Sequence, residues 1–150
     1  MDARVVRGDA SGPFKASGPE NDGRFDFFVL DIGYLTGPPL HVHEAQEDTF
    51  YVLEGVVTVQ LGDDVVDLTA GDYGSAPPGV PHTFTNARED QGPVRIVNLM
   101  TPGIGFDRYI EQVNALAESG SDTAAMEQLA SQFGGQMVGP PLAVKLGRSS

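Results

Sequence analysis

The sequence contains no cysteine at any of its 150 positions. Disulfides, thiolate nucleophiles and cysteine-ligated metals are therefore excluded. Basic residues are also scarce, with nine Lys and Arg against 21 Asp and Glu, which gives a net charge of −12. Nucleic acids and anionic membranes are bound through clustered Lys and Arg, so this balance argues against either as a partner.

Long apolar runs are missing as well. No segment approaches the roughly 18 consecutive apolar residues of a membrane helix. The opening "MDARVVRGDA" lacks the apolar stretch of a signal peptide, so we expect a cytoplasmic protein. With 40% hydrophobic and 20% charged residues, the composition is that of one globular domain with a real core.

Nineteen glycines and eleven prolines divide the chain into short segments. A loose polar segment is predicted for residues 1–23, and alternation of period two begins at Arg24. Short strands separated by Gly, Asp and Pro turns continue to Thr101, a rhythm typical of an antiparallel sandwich or small barrel. The predicted strands cover residues 24–34, 41–53, 56–61, 65–68, 73–76, 82–86 and 94–100.

Residues 102–134 change to helical periodicity. Apolar residues from Phe106 to Ala117 recur at i, i+3 and i+4, which predicts one amphipathic helix that ends at Ser119 and Gly120. A second short helix is predicted from Asp122, as its cap, to Phe133. Residues 135–150 are predicted to form an extended tail.

The three histidines of the chain are His41, His43 and His82. His41 and His43 stand at i and i+2 on a predicted strand, so both side chains point to one face. Two imidazoles on one face can chelate a single cation. His82 begins another strand, directly after the turn "PPGVP". One histidine alone is more often a surface or core residue, but the arrangement of all three favours a metal site.

Two stretches resemble the sequence motifs of the cupin superfamily. "HVHEAQEDTFYVLEG" is similar to the first motif, and "GDYGSAPPGVPHTFTN" matches the second at every position, namely Gly71, Pro77, Gly79, His82 and Asn86. The leading glycine of the first motif is replaced by Leu35, which we expect to shift a turn at little cost. The resemblance covers residues 24–101.

The chain resembles small single-domain cupins similar to quercetin 2,3-dioxygenases. This resemblance implies an all-β fold, the cupin jelly-roll β-barrel or double-stranded β-helix, here followed by two short C-terminal helices. It also implies that His41, His43 and His82 hold one divalent transition metal, together with an acidic residue. Imidazoles plus a carboxylate suit Fe, Ni, Co, Mn or Zn about equally, so the sequence does not choose the metal.

The acidic ligand is ambiguous. Counting back from Gly55 gives Asp48, whereas counting forward from His43 gives Glu47, and neighbours on a strand face opposite ways. Asp48 shares its face with Phe50 and Val52, which the apolar interior would take, so we favour Asp48. Its side chain is one methylene shorter than that of glutamate and could orient a ligand from outside the coordination sphere. Gln46 remains an alternative neutral ligand.

Interior-facing strand positions predict an apolar and aromatic substrate pocket with almost no positive charge. Its predicted lining is Phe27, Val29, Phe50, Val52, Val59, Phe84, Ile96, Asn98 and Met100. Such a pocket favours a flat phenolic or polyketide-like molecule and disfavours a phosphosugar, which would lack a cationic partner.

Three functions remain open on this basis. The first is a metal-dependent dioxygenase, in which Asp48 takes a phenol proton as general base. The second is a non-redox cyclase or lyase, in which the metal polarises a carbonyl. The third is a binding cupin without chemistry. The resemblance also implies a homodimer, and the outward positions Tyr51 and Leu53 and the apolar tail add a reason for one, although the predicted helices are an alternative cover.

Overall fold

A computed structural model describes residues 3–8, 12–120 and 122–148. None of the helices in these ranges is long and apolar enough to cross a membrane. The strands are β1 Phe14–Ala16, β2 Asp26–Ile32, β3 Pro39–His43, β4 Glu47–Glu54, β5 Val56–Leu61, β6 Asp64–Thr69, β7 Tyr73–Ala76, β8 His82–Thr85, β9 Val94–Thr101 and β10 Gly135–Pro141. The α-helices are α1 Phe106–Glu118, α2 Thr123–Gln132 and α3 Leu142–Lys145, and short 3-10 turns lie at Gly18–Glu20 and Glu89–Gln91.

The strands form two five-stranded antiparallel sheets. One has the order β1-β2-β9-β4-β7 and the other the order β10-β3-β8-β5-β6. The all-β jelly roll with C-terminal helices is therefore confirmed. In the described residues the hydrogen bonding does not close into one continuous barrel, because each sheet keeps two edge strands.

The core lies between the two sheets. Inward side chains of β2, β4 and β9 meet those of β5 and β8, and alternation along each strand puts every second residue inside. The buried cluster consists of Ile32, Phe50, Val52, Val57, Val59, Phe84, Val94 and Ile96. These side chains pack against one another between the sheets.

The side chain of Asp26 on β2 ties down the N-terminal segment and the start of α1. Its fully buried carboxylate accepts hydrogen bonds from the backbone N–H groups of Gly18 (2.6 Å), Ile104 (2.9 Å) and Gly105 (3.2 Å). The segment also forms β1, which pairs with β2. The described part of residues 1–23 is therefore not the loose segment that we expected, and residues 1, 2 and 9–11 lie outside the described ranges.

The strand predicted over residues 41–53 is two strands in different sheets. Residues 44–46 bend between β3 and β4, and β4 then pairs with β7 and β9. The bend resets the alternation of side chains, because residues on either side of it no longer share one pleat.

The C-terminal region is more ordered than predicted. Helices α1 and α2 match the predicted helices, and the Asp122 side chain caps α2 by accepting a hydrogen bond from the backbone N–H of Ala125 (3.0 Å). The predicted tail is instead strand β10, in which Gly135 and Met137 pair with His43 and His41, followed by α3. Residues 149 and 150 of the predicted tail lie outside the described ranges.

Leu35 adopts a backbone conformation that normally belongs to glycine. Its φ is 57°, and its N–H donates to the Asn86 carbonyl at 2.8 Å. A left-handed conformation costs an L-residue about 1–2 kcal/mol. The departure from the motif therefore places backbone strain on Leu35. Nearby Gly37 must be glycine, since an added Cβ would lie 2.0 Å from the Phe84 carbonyl oxygen.

Candidate metal centre

Three strands from the two sheets bring all four predicted metal ligands together. His41 and His43 lie on β3, His82 begins β8, and Asp48 lies on β4 of the facing sheet. His41 and His82 are direct cross-strand partners. His82 is thus 34 or more positions from the other three ligands in the chain, yet all four meet at one point between the sheets.

The spacing of the four side chains suits a single metal ion. One ligand atom from each lies within 4.8 Å of the others. The ring centroids are 4.3 Å apart for His41 and His82, 4.9 Å for His41 and His43, and 5.1 Å for His43 and His82. A metal about 2.1 Å from each nitrogen or oxygen separates two ligand atoms by at most about 4.2 Å. The cluster therefore needs only a small contraction to hold an ion.

Backbone carbonyls orient two of the imidazoles. The Nδ1 of His41 lies 2.8 Å from the Pro39 carbonyl oxygen, and the Nδ1 of His82 lies 2.9 Å from that of Val80. Donation from Nδ1 leaves Nε2 with the lone pair that a metal binds, which is the usual arrangement in metal sites. In both rings the contact at Nδ1 therefore favours the tautomer that a metal requires.

The turn before β8 is built to place His82. Gly79 has φ of 82°, a left-handed conformation that favours glycine, and its N–H donates to the His43 carbonyl at 2.9 Å. This hydrogen bond links the turn directly to the strand that carries the other two histidines. The Pro and Gly positions of the second motif thus fix the position of its histidine.

His43 is buried without hydrogen-bond partners on either ring nitrogen. Its side chain is 6% exposed, and its Nε2 lies 3.5 Å from Asp48 Oδ2 without forming a hydrogen bond. A buried nitrogen without a partner costs free energy, because it has lost its water. A metal at Nε2 would satisfy this atom, so the residues present fit a metal.

Asp48 is held by the other members of the cluster. Its Oδ2 lies 2.9 Å from His82 Nε2, and its Oδ1 accepts a short hydrogen bond from Asn98 Nδ2. Burial raises the pKa of Asp48, but the close imidazoles of His43 and His82 outweigh this effect and hold the pKa below its ordinary value. Asp48 is therefore a carboxylate at neutral pH, as a metal ligand must be.

His41 is held in its neutral form. Burial and, next, the neighbouring His82 and His43 lower the pKa of His41 from 6.5 to about 4, although the Pro39 carbonyl and Asp48 oppose this shift. Since metals bind neutral imidazole, His41 is ready to bind at neutral pH.

The structure separates the three acid and amide candidates. Asp48 is 4% exposed and belongs to the cluster, whereas Glu47 pairs in register with Thr101 and is half-buried outside it. Gln46 is 5% exposed, but its Oε1 has no hydrogen-bond partner. On one continuous strand Glu47 would have shared the face of His41 and His43. The bend at residues 44–46 is what gives Asp48 that position.

Most of the predicted pocket residues are buried, with two exceptions. Phe27 and Val29 lie on the outer face of β2, because the buried Asp26 and Phe28 take the inner positions. The remaining seven are buried, and five of them, Phe50, Val52, Val59, Phe84 and Ile96, belong to the packed core. The other two lie at Asp48: Asn98 donates a hydrogen bond to its carboxylate, and Met100 pairs with Asp48 in the β4–β9 register.

The sequence analysis missed a row of aromatic side chains beside the metal centre. Its members are Phe28, Phe106, Tyr109 and Phe133, and it is called the Phe28–Phe133 row below. Phe106 lies 6.4 Å from His43 between ring centroids, and it stacks on Phe28 at 5.4 Å and 14°. Tyr109 follows at 5.2 Å from Phe106, and Phe133 at 5.3 Å from Tyr109. The helical pattern put Phe106, Tyr109 and Phe133 on apolar faces, but only the packing of α1 against β2 and α2 places them near the metal centre.

Two antiparallel sheets around a buried cluster of three histidines and one carboxylate define a double-stranded β-helix with a candidate metal site. Residues 27–100 match the family model of the cupin domain. These residues therefore form a cupin domain, as the two motifs predicted.

Comparison with individual proteins gives one similarity in sequence and others in fold. Over 81 residues the chain is 32% identical to a quercetin 2,3-dioxygenase of Bacillus subtilis, which covers 54% of this chain but only 24% of that protein. A conserved double-stranded β-helix protein of Klebsiella pneumoniae matches with a TM-score of 0.54 and 24% identity, over 69% of this chain and 94% of that one. A putative sugar phosphate isomerase of Acidithiobacillus ferrooxidans matches at 0.50 and 19% identity, over 57% and 56%. The two structures support the fold alone.

Proposed function

We propose that this chain is a metal-dependent oxygenase that acts on a flat phenolic or polyketide-like small molecule, in the manner of a quercetinase. The observation that carries the proposal is the cluster of His41, His43, His82 and Asp48, whose ligand atoms lie within 4.8 Å of one another. The sequence similarity to a quercetin 2,3-dioxygenase supports this choice of chemistry.

The three imidazoles and Asp48 would hold one divalent ion from the set Fe, Ni, Co, Mn and Zn. Such an ion supplies Lewis acidity, and a redox-active one also passes electrons between an organic substrate and dioxygen. Asp48 is the one carboxylate of the cluster, so it is the group available to accept a phenol proton. Its Oδ1 accepts from Asn98, which leaves Oδ2, the oxygen that faces the imidazoles, for the metal or for that proton.

The Phe28–Phe133 row supports an aromatic substrate. Helix α1 presents the side chains of Phe106 and Tyr109 towards the centre, yet no residue of α1 is fully buried. A flat apolar molecule against this half-buried face would cover it and stack on it. Among the described residues, the side chains that hydrogen-bond to the cluster or pack a ring against it are Asn98, Phe50 and Phe106, and none of them is a Lys or Arg. A phosphorylated substrate would therefore find no cation there.

Oxygen uptake tests the proposal. The purified full chain would be loaded separately with Fe, Ni, Co, Mn and Zn and mixed with flavonols, with His82→Ala as the metal-free control. We expect substrate-dependent oxygen consumption with at least one metal and none in His82→Ala. No uptake with any metal, in protein shown to carry the metal, would refute the oxygenase.

A non-redox cyclase or lyase is the second candidate, and one observation favours it. The pKa of Asp48 is held below its ordinary value, so this carboxylate is a weak base. A weak base slows a reaction that needs a proton removed from the substrate, but it matters less where the metal polarises a carbonyl as a Lewis acid. Product formation from a polyketide-like substrate under strict anaerobiosis would favour this candidate over the oxygenase.

We also propose that a second copy of the chain covers the outer face of the first sheet. Tyr73 and Tyr51 are adjacent across β7 and β4, and Val97 and Val29 continue the same row. Tyr51 is 45% exposed and Tyr73 62%, so neither α1 nor α2 covers this face. Light scattering of the wild type should give a dimer mass, and Tyr51→Glu with Tyr73→Glu should give a monomer. A wild-type monomer would refute this proposal.

A further inference from the structure

Two buried polar groups next to the metal centre have no hydrogen-bond partner. They are the Nδ1 of His43 and the Oε1 of Gln46. Gln46 lies in the bend between the two ligand-bearing strands, and its side chain is buried although it makes no bond to the cluster. A buried acceptor or donor that is left unpaired destabilises the folded protein, because it has lost its hydrogen bonds to water. Such groups persist only where something else requires them.

Both atoms lie beside Gly134 and Gly135, where the chain turns from α2 into β10. A Cβ built on Gly134 would lie 3.7 Å from Gln46 Oε1, and a Cβ built on Gly135 would lie 3.7 Å from His43 Nδ1. The Glu44 N–H donates to the Gly134 carbonyl at 2.8 Å, which holds the bend against this turn. The unpaired acceptor and the unpaired ring nitrogen therefore lie in one small region.

His43 is also the exception among the three imidazoles. His41 and His82 each direct Nδ1 at the carbonyl of the residue two positions earlier, Pro39 or Val80. The Nδ1 of His43 has no such carbonyl. When Nε2 of a histidine binds a metal, its Nδ1 carries the proton and needs an acceptor.

We propose that Gln46 is a positioning residue for the metal, whose Oε1 accepts the Nδ1–H of His43 once Nε2 is bound. The carboxamide then does for His43 what the backbone carbonyls of Pro39 and Val80 do for the other two rings. This inference rests on the metal-dependent function proposed above. It assigns Gln46 a role outside the coordination sphere, in place of the alternative that Gln46 is itself a ligand.

Zinc affinity of the full chain, measured by competition with a chelator, tests the assignment. Gln46→Met keeps the size of the side chain but removes the acceptor, so we expect affinity to fall by about 10- to 100-fold. Gln46→Glu keeps an acceptor and should retain or increase the affinity. Gln60→Met is the matched control, because Gln60 is also buried but donates its amide to the Gly62 carbonyl and does not contact the cluster.

A second readout separates positioning from general structural damage. In the zinc-loaded protein, nitrogen-15 NMR should detect the Nδ1–H of His43 as a slowly exchanging, hydrogen-bonded proton, and Gln46→Met should abolish its protection. Affinity within twofold of wild type together with an unchanged His43 signal would overturn the proposal. Failure of the wild type to bind zinc would overturn it together with the metal centre. Zinc binding without oxygen uptake in any metal form would refute only the oxygenase.

Discussion

Asp26 and Asp48 are both buried carboxylates, yet their surroundings differ in kind. Asp26 accepts hydrogen bonds from the backbone N–H groups of Gly18, Ile104 and Gly105. Asp48 instead meets the side chains of His82 and Asn98. Backbone N–H groups can only donate hydrogen bonds to a carboxylate. Imidazoles can also bind a metal or a proton beside it. Burial therefore does not identify a functional acid, and the chemistry of its partners does.

The largest effect on stability should come from Asp26→Ala. The backbone N–H groups of Gly18, Ile104, Gly105 and Phe106 would all lose their acceptor, and the start of α1 would lose its attachment, so the free energy of unfolding should fall by about 3–5 kcal/mol. Urea unfolding measures this change. Asp26→Asn, which keeps one acceptor oxygen, should lose less. A loss below about 1 kcal/mol in Asp26→Ala would show that Asp26 is not the anchor.

Asp48→Ala should act on metal binding instead. We expect zinc affinity to fall by about 100-fold or more, because the one carboxylate of the cluster is lost. Glu47→Ala is the matched control, since it removes the neighbouring acid from outside the cluster, and its affinity should stay within about threefold of wild type. Loss of affinity in Glu47→Ala alone would reverse the assignment of the two acids.

Acidification should weaken the metal-free protein through the same centre. Because the folded-state pKa of His41 is lowered from 6.5 to about 4, the unfolded chain binds the proton more readily than the folded protein does. The free energy of unfolding should therefore fall by about 2–3 kcal/mol as the pH drops from 6.5 to 4. The lowered pKa of Asp48 adds a further loss only below its unfolded value of 3.8. Urea unfolding at a series of pH values measures this, and His41→Gln should flatten the slope between pH 6.5 and 4. An equal slope in wild type and His41→Gln would contradict this account.

The smallest predicted effect concerns the amide that holds Asp48. Asn98→Leu removes the donor to Asp48 Oδ1 and should lower zinc affinity by about 10-fold, because the carboxylate is then free to turn. Asn86→Leu is the control, since Asn86 is equally buried but donates to the carbonyls of Ile32 and Gly92. Equal losses of affinity in both variants would indicate general damage rather than a role in holding Asp48.

The sequence predicted the parts of the fold that depend on local pattern. Strand alternation, turn residues and helical periodicity located β5 and β7 at their observed bounds, and the Asp122 cap located the start of α2. The histidines were found because the two motifs combine residue type with spacing. These signals are contained within short segments, so no knowledge of the packing is needed.

Features that depend on contacts between distant segments were not predictable. The face of β2 was assigned wrongly because Asp26 looks like a surface residue until Gly18 and residues 104–105 enclose it. Asp48 was favoured for its apolar neighbours Phe50 and Val52, while the bend that turns it towards the histidines was not foreseen. The position of Phe106 beside His43 depends on how α1 packs, which its own apolar stripe does not specify.

The pairing of β10 with β3 also constrains the order in which the centre can form during synthesis. Strand β3 carries two of the three histidines, yet it pairs with β8 only through His41 and His82, while β10 pairs with it from Pro39 to His43. A nascent chain that has not yet released residues 135–141 from the ribosome therefore has β3 as a poorly held edge. We expect such ribosome-bound chains to capture metal weakly, which arrested-chain binding assays can measure, so that loading follows translation of the last strand.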